Sequence, residues 1–402
     1  MDLSYGPRYE ALRDEVRRFL ETHAAAAPPV RAPNNEKTRA WQRLLIEQGY
    51  AARTIPKTYG GAGQEPDLLK SRILSEEFAR AKVSPGLGGQ GITMLVPTLL
   101  EVGTEEQRRQ FIAPTLSGEM IWCQGYSEPG AGSDLASLRT SAELDGDHWV
   151  INGQKIWTST AHLAHWMFCL VRTEPQAPKH QGISFLLLRM DTPGIEVRPL
   201  VDMTMSHSFN EVFFTNVRVP AHQIVGKRGE GWHVANVILK NERDSLGDPN
   251  QAMTRLNMLI DVMRTETADG VRPLDNPQFL DRLMRLQGRV MAMQHNDLRV
   301  LSSHLNEGQD ASLARLVVKL QGTELRHELE GLAVDVMGEV GLAYGDNPYL
   351  RDNGSWQFWH MFFLGLIIGG GTSQIQKNII AERGLGLPRE PKLALTAKGG
   401  QS

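Results

Sequence analysis

Apolar positions recur at helical spacing through the first part of the chain. Leu12, Val16, Phe19 and Leu20 share one face at steps near 3.6. Leu45, Ile46 and Tyr50 predict a second helix, closed by the Gly and Pro punctuation from Pro56 to Gly63. Leu68 to Ala79 predicts a third. From about Ile121 to Gly231 the texture becomes β. HWVINGQKIW carries β-formers on both sides of Asn152-Gly153, a dipeptide that suits a type I′ hairpin turn because both residues tolerate positive φ. ISFLLLRM and EVFFTNVRVP predict two further strands. From Trp232 to about Arg383 the helical period returns, and Phe279, Leu283, Leu286, Val290 and Met293 mark one long amphipathic helix of a bundle. The order is helices, strands, helices, an α+β chain with an expected division into 1–120, 121–231 and 232–385, followed by a polar tail over 386–402.

Composition narrows this picture without redirecting it. A chain of 402 residues with 41% hydrophobic and 22% charged positions is ordinary globular material, long enough for two or three domains. The net charge of -3 gives no pull toward nucleic acid or an anionic membrane. Cys123 and Cys169 cannot build a disulfide framework, which suits a cytoplasmic setting. The N-terminus is amphipathic and charged, unlike a signal peptide. The apolar run from Met361 to Gly371 is too short to span a bilayer and reads as a buried segment, so no stable membrane insertion is expected.

Candidate chemistry gathers in the β region. PGAGSD, Pro129 to Asp134, lacks the glycine spacing and the strand-turn-helix setting of a Rossmann turn. Two readings of it stand: a plain turn between strands, or a loop whose amides and the Ser127 and Ser133 hydroxyls hold a polar, phosphate-bearing ligand. His162, His165 and His207 come without any HExxH or CxxC pattern, so no metal site is expected.

GYSEPGAGSD followed by INGQKIWTST closely resembles the acyl-CoA dehydrogenase superfamily. The likeness continues through VRVP with GKRGEGW after it, and through GTSQIQKNIIAERGLGLPR near the C-terminus. It therefore covers nearly the whole chain. It implies an N-terminal helical domain, a middle β-barrel-like domain and a C-terminal four-helix bundle, with FAD as cofactor. By the same resemblance Gln124, Tyr126 and Ser127 would line the isoalloxazine, and Ser127 and Ser159 would bond its polar edge. Trp157 would pack on the ring, although by itself, without the motif, it reads rather as a core tryptophan beside a hairpin turn. Ser133 would lie along the acyl-CoA, Arg272 would reach a neighbouring subunit's FAD, and Thr372 and Gln374 would contact FAD again. Gly338 and Gly341 remain from the family's adenine-half pattern, but Asp335 and Glu339 depart from it.

The family reaction removes two hydrogens across Cα–Cβ of an acyl thioester, with a carboxylate taking the α-proton. Many members carry that glutamate where this chain has Gly370, whose N–H could still polarise the thioester carbonyl. A minority carry it on another helix before an arginine, and Glu242-Arg243 stands at the matching place. Ala235, Leu239 and Glu242 follow at steps of four and three, so an apolar stripe would carry the acid toward a pocket. The competing reading is a surface acid paired with Lys240 or Arg243. Arg243 is a candidate substrate contact. Trp356, Phe358, Trp359, Phe362 and Phe363 form an aromatic stretch that is either helix packing or a reshaped acyl wall. The resemblance further implies an electron-transfer flavoprotein as acceptor and a homodimer or homotetramer. A heteromeric assembly with a second chain, and an oxidase or monooxygenase on the same scaffold, stand as alternatives.

Overall fold

The computed structural model describes residues 6–30, 32–266, 270–305 and 311–389; the side chains of 240–246 and 304–305 lie outside that description. The chain forms two compact units, Met1–Ser245 and Leu246–Ser402.

The first unit opens with helices α1 (Pro7–His23), α2 (Glu36–Glu47), α3 (Leu68–Ala81), α4 (Val96–Val102) and α5 (Glu105–Leu116). The predicted face of α1 is the buried one: Val16, Phe19 and Leu20 pack with Trp41, Leu45, Leu74 and Phe78. Two capping boxes start helices where the chain supplies reciprocal side chains, Asn35 with Thr38 and Thr104 with Gln107. Glu77 of α3 is 1% exposed and accepts from Arg13, Arg17 and Arg80, which ties α3 to α1.

Eight strands follow: β1 (Trp122–Gly125), β2 (Ser141–Asp145), β3 (His148–Lys155), β4 (Trp166–Arg172), β5 (Ile183–Arg189), β6 (Ile195–Leu200), β7 (Phe209–Pro220) and β8 (Ile224–Val225). Their order is β6-β7-β3-β2-β4-β5-β8, with β1 beside β4. β4 and β5 read as unbroken apolar runs because both faces are covered. Trp166, Phe168 and Leu170 join the core with α4, α5 and the start of α6 (Gly231–Leu246). Met167, Cys169 and Val171 face the opposite core with Trp149, Ile151 and Phe214.

Two expectations are corrected here. The sheet is open rather than barrel-like: among the described residues its outer strands β6 and β8 do not pair with each other. Asn152-Gly153 is not a hairpin turn but lies inside β3, at a bulge opposite β7. The turn is at Gly146-Asp147, between the paired Asp145 and His148. Gly146 takes φ 61 there, a left-handed value that glycine adopts without a Cβ penalty. Gly153 is required for another reason: a Cβ on it would come within 2.7 Å of Thr140 Cα. Asn152 serves the bulge by accepting the Asn216 amide at 2.8 Å.

The second unit holds α7 (Pro249–Thr265), α8 (Pro277–Leu305), α9 (Ser312–Val336), α10 (Ser355–Ile368) and the short α11 (Ser373–Ile379). α7 to α10 share one core, to which α8 gives the predicted Leu283, Leu286, Val290 and Met293. Within Met361–Gly371 only Phe363 is buried, and Ile368 is 65% exposed, so the apolar run is not the buried segment expected. Of the aromatic stretch, Trp356 and Phe363 are core residues, while Phe358, Trp359 and Phe362 are half-buried. No described helix is long and apolar enough to cross a membrane. The tail expected over 386–402 falls largely outside the described residues.

Candidate active site

The polar end of β1 is where Gln124, Tyr126, Ser127, Trp157 and Ser159 are brought onto two adjacent segments. β1 runs on through Tyr126 and Ser127, whose carbonyl accepts the Ile156 amide at 2.9 Å. That bond lays the 124–128 segment beside the 155–159 segment. Gln124, Ser127 and Ser159 are half-buried there, and Tyr126 is buried. Gln124 also accepts a long bond from Gln90, at 3.4 Å. Trp157 is 59% exposed, so it is not the core tryptophan of the alternative reading. Its φ is 59, a left-handed value that a bulky residue seldom adopts, and its ring meets Phe209 edge-on with centroids 6.0 Å apart. An exposed indole at a strained backbone position, with the half-buried Ser127 and Ser159 on the same two segments, fits a flat aromatic cofactor with a polar edge.

A buried ion pair that the sequence reading passed over braces this site. Lys155 is fully buried, and its ammonium donates to Glu128 at 2.8 Å and to the Tyr126 carbonyl at 3.1 Å. The Arg139 and Thr140 amides donate to the same carboxylate, at 2.6 and 2.9 Å. Burial alone would raise the Glu128 carboxyl; the Lys155 charge and hydrogen bonds, with the amides, outweigh it and hold the group below its ordinary range. The signal was present in the sequence, an acid and a lysine inside the two motifs themselves. Nothing in their spacing said that they would meet.

PGAGSD forms a tight turn, with the Ala131 amide donating to the Glu128 carbonyl at 3.0 Å. Ser133 lies beyond it, exposed, and is not drawn into the 124–128 and 155–159 pair. Asp134 is bonded by Ser137 and Lys179. The two cysteines are no nucleophiles: burial raises both thiols, Cys169 to about 11 and Cys123 further. His165 accepts the Ile121 amide through its ring, a structural use.

The remaining expected residues lie elsewhere. α6 carries Glu242 and Arg243, whose side chains are outside the described residues. In the second unit Gly370 takes φ 64 in the turn after α10. That turn is held by Lys319, which is 2% exposed and donates to the Ile367 carbonyl at 3.1 Å and the Gly371 carbonyl at 2.6 Å. Gln376 donates to the Gly370 carbonyl at 2.9 Å. Thr372 caps α11 through the Ile375 amide, and Gln374 is exposed on its first turn. Lys319 and Gln376 were missed because a lone Lys or Gln in a helix reads as solvated surface. Arg272 is exposed and paired with Asp275 at 2.8 Å. Gly338 takes φ 56 just after α9, and Asp335 is paired with Arg282 at 2.7 Å.

The site thus sits in a chain that runs from helices through an antiparallel-dominated sheet to a second helical set, with an exposed indole and half-buried hydroxyls at the end of β1. The comparisons agree along the chain. Three families match in order: the acyl-CoA dehydrogenase N-terminal domain at residues 6–119, the middle domain at 123–217 and the C-terminal domain at 229–385. Acyl-CoA dehydrogenase IpdE1 of Mycobacterium tuberculosis is 41% identical over 361 residues, covering 89% of this chain and 90% of its own. The mitochondrial short-chain specific acyl-CoA dehydrogenase of Bos taurus is 27% identical, covering 93% and 89%. Among solved structures, the Tcur3481-Tcur3483 steroid ACAD superposes with a TM-score of 0.81 at 28% identity, covering 97% of this chain and 100% of that one. The ChsE4-ChsE5 complex from Mycobacterium tuberculosis gives 0.79 at 31% identity, with the same coverage. The chain belongs to the acyl-CoA dehydrogenase family, and it is an oxidoreductase.

Proposed function

We propose that this chain converts an acyl-CoA thioester to its trans-2-enoyl-CoA with FAD as the cofactor. The observation that carries the reading is Trp157, an exposed indole held at φ 59 beside Ser127 and Ser159. FAD, when bound, supplies the acceptor for the β-hydride. By the family resemblance Gln124, Tyr126, Ser127, Trp157 and Ser159 would hold its ring system, Thr372, Gln374 and Gly338 would also contact FAD, and Arg272 would serve a neighbouring subunit's cofactor. Ser133 and Arg243 lie along the CoA thioester. The Gly370 amide donates to the thioester carbonyl, and the Lys319 bonds on either side keep that turn in place. By the family resemblance Glu242 takes the α-proton.

Glu242→Gln tests the base. It is expected to keep FAD and slow its anaerobic reduction by substrate by about 10²- to 10⁴-fold, the usual worth of a positioned base. Reduction at the wild-type rate would remove Glu242 from the mechanism. An electron-transfer flavoprotein then reoxidises the enzyme. The assembly is a homodimer or homotetramer, and a heteromer is the second reading. Two of the structurally similar proteins are described as paired chains, Tcur3481-Tcur3483 and ChsE4-ChsE5, which favours that alternative. The FAD content of the chain expressed alone separates the two. One FAD per chain supports the homomer, and less than one restored by a partner supports the heteromer.

A further inference from the structure

Asn210 has no place in the reaction described above, yet it sits against its most strained element. It is the second residue of β7, paired with Pro199 of β6, and it is fully buried. Its Nδ2 donates to the Thr158 carbonyl at 2.9 Å, and its main-chain carbonyl accepts the Thr158 amide at 3.0 Å. One residue thus holds both ends of the Thr158 residue. Thr158 stands between Trp157, at φ 59, and Ser159 and Thr160, the latter at φ 57. The outer ties of the loop are the Ile156 amide on the Ser127 carbonyl and the Thr160 amide on the Ser208 carbonyl. Asn210 supplies the middle one, and its neighbour Phe209 supplies the edge contact to the indole.

Packing does not account for a carboxamide at this position. Asn210 Oδ1 and Thr158 Oγ1 are both buried without a hydrogen-bond partner. A buried amide with half its capacity unused carries a desolvation penalty that an apolar strand-former would avoid. What an apolar residue cannot do is donate to the Thr158 carbonyl. Without that donor the loop would keep its main-chain ties, at Ile156, Thr158 and Thr160, but would lose the side-chain bond on the Thr158 carbonyl, the residue next to a tryptophan in a conformation that bulky L-residues avoid.

We infer that Asn210 is a positioning residue: its side-chain bond to the Thr158 carbonyl, added to the main-chain bond that any residue there would make to the Thr158 amide, keeps Trp157 left-handed and its indole face presented to the flavin. The inference rests on the reading of Trp157 as the flavin's platform. It requires that the loop's order be lost when the side chain is removed, with or without cofactor. It also requires that cofactor binding suffer more than stability alone would cause.

The test compares wild type with Asn210→Ala, Asn210→Val and Trp157→Ala, each stripped of flavin and titrated with FAD. Asn210→Val favours a strand and fills similar space, so it remains informative if the alanine variant folds poorly. The expected result is a rise in the FAD Kd of more than about tenfold in both Asn210 variants. Faster hydrogen exchange at Thr158 and Thr160 in the flavin-free proteins, and an altered visible circular dichroism of whatever flavin binds, complete it. A merely structural role would lower thermal stability and leave the Kd and the flavin dichroism as in wild type, which overturns the inference. If Trp157→Ala weakens FAD but neither Asn210 variant does, the platform stands and Asn210's role falls. If Trp157→Ala leaves FAD affinity unchanged, the platform reading falls and takes this inference with it.

Discussion

At the scale of single residues, the site depends on charges that never touch a substrate. Lys155 neutralises Glu128 in a buried setting; its ammonium grips the Tyr126 carbonyl, while the Glu128 carboxylate holds the Arg139 and Thr140 amides. Lys155→Met leaves a carboxylate buried and unpaired, which typically costs about 3–5 kcal/mol. The double variant Lys155→Met, Glu128→Gln is expected to recover a large part of that stability. Denaturant unfolding of both proteins checks it; equal losses in the single and double variants would mean that the charge is not the issue. Because the Glu128 pKa is depressed in the folded state, its contribution is present above the ordinary carboxylate range. It is lost as pH falls through the folded value. The motifs around these two residues were legible, since the flanking segments were recognised as paired. The pair itself was not, because contact between residues 27 positions apart depends on the sheet and not on local pattern.

Elements show where local pattern suffices and where it misleads. The stripes of α1 and α8 were readable because a helix with one buried face writes that face at a fixed period. The hairpin was misplaced because Asn-Gly and Gly-Asp both suit two-residue hairpin loops and the chain offers both, six residues apart, at Asn152-Gly153 and Gly146-Asp147. Only the pairing of β2 with β3 decides between them. Substitution separates the two glycines. Gly146→Ala keeps an open position and is expected to lose about 1–2 kcal/mol, the ordinary left-handed penalty. Gly153→Ala forces Thr140 to move and should lose more, by thermal or denaturant unfolding; a smaller loss at 153 would contradict the close approach. Between helices, Glu77 gives a pH-dependent tie. Burial opposes its charge, but Arg17, Arg13 and Arg80 hold its carboxyl at about 2, against 4.5 for a free glutamate. Its stabilisation is full above about 4.5 and fades as pH falls toward about 2. Glu77→Gln is expected to cost about 2 kcal/mol at neutral pH, less than the roughly 3 kcal/mol to which that shift converts, because solvent screens the half-exposed Arg17 and Arg80. The gap to wild type should close as the solution is acidified, and a gap independent of pH would mean that the ion pairs contribute nothing.

For the whole molecule, the order of helices, strands and helices was plain in the sequence, and the family followed from motifs that recur in the same order along the chain. The polar grip behind those motifs was not plain. Asn210, Lys319 and the Glu128-Lys155 pair are isolated polar residues whose partners are backbone carbonyls or distant side chains, and no periodicity announces them. Their common effect is to fix irregular backbone at Trp157, Tyr126 and Gly370, the places assigned to cofactor and thioester. The account therefore stands or falls on whether that arrangement dehydrogenates an acyl thioester. The most direct measurement is an anaerobic titration of the purified, flavin-loaded protein with straight, branched and cyclic acyl-CoAs, following the flavin band near roughly 450 nm. Bleaching by at least one saturated acyl-CoA, with formation of the matching 2-enoyl-CoA, is the result the account predicts. A flavin that binds fully and is bleached by none of these thioesters would contradict it.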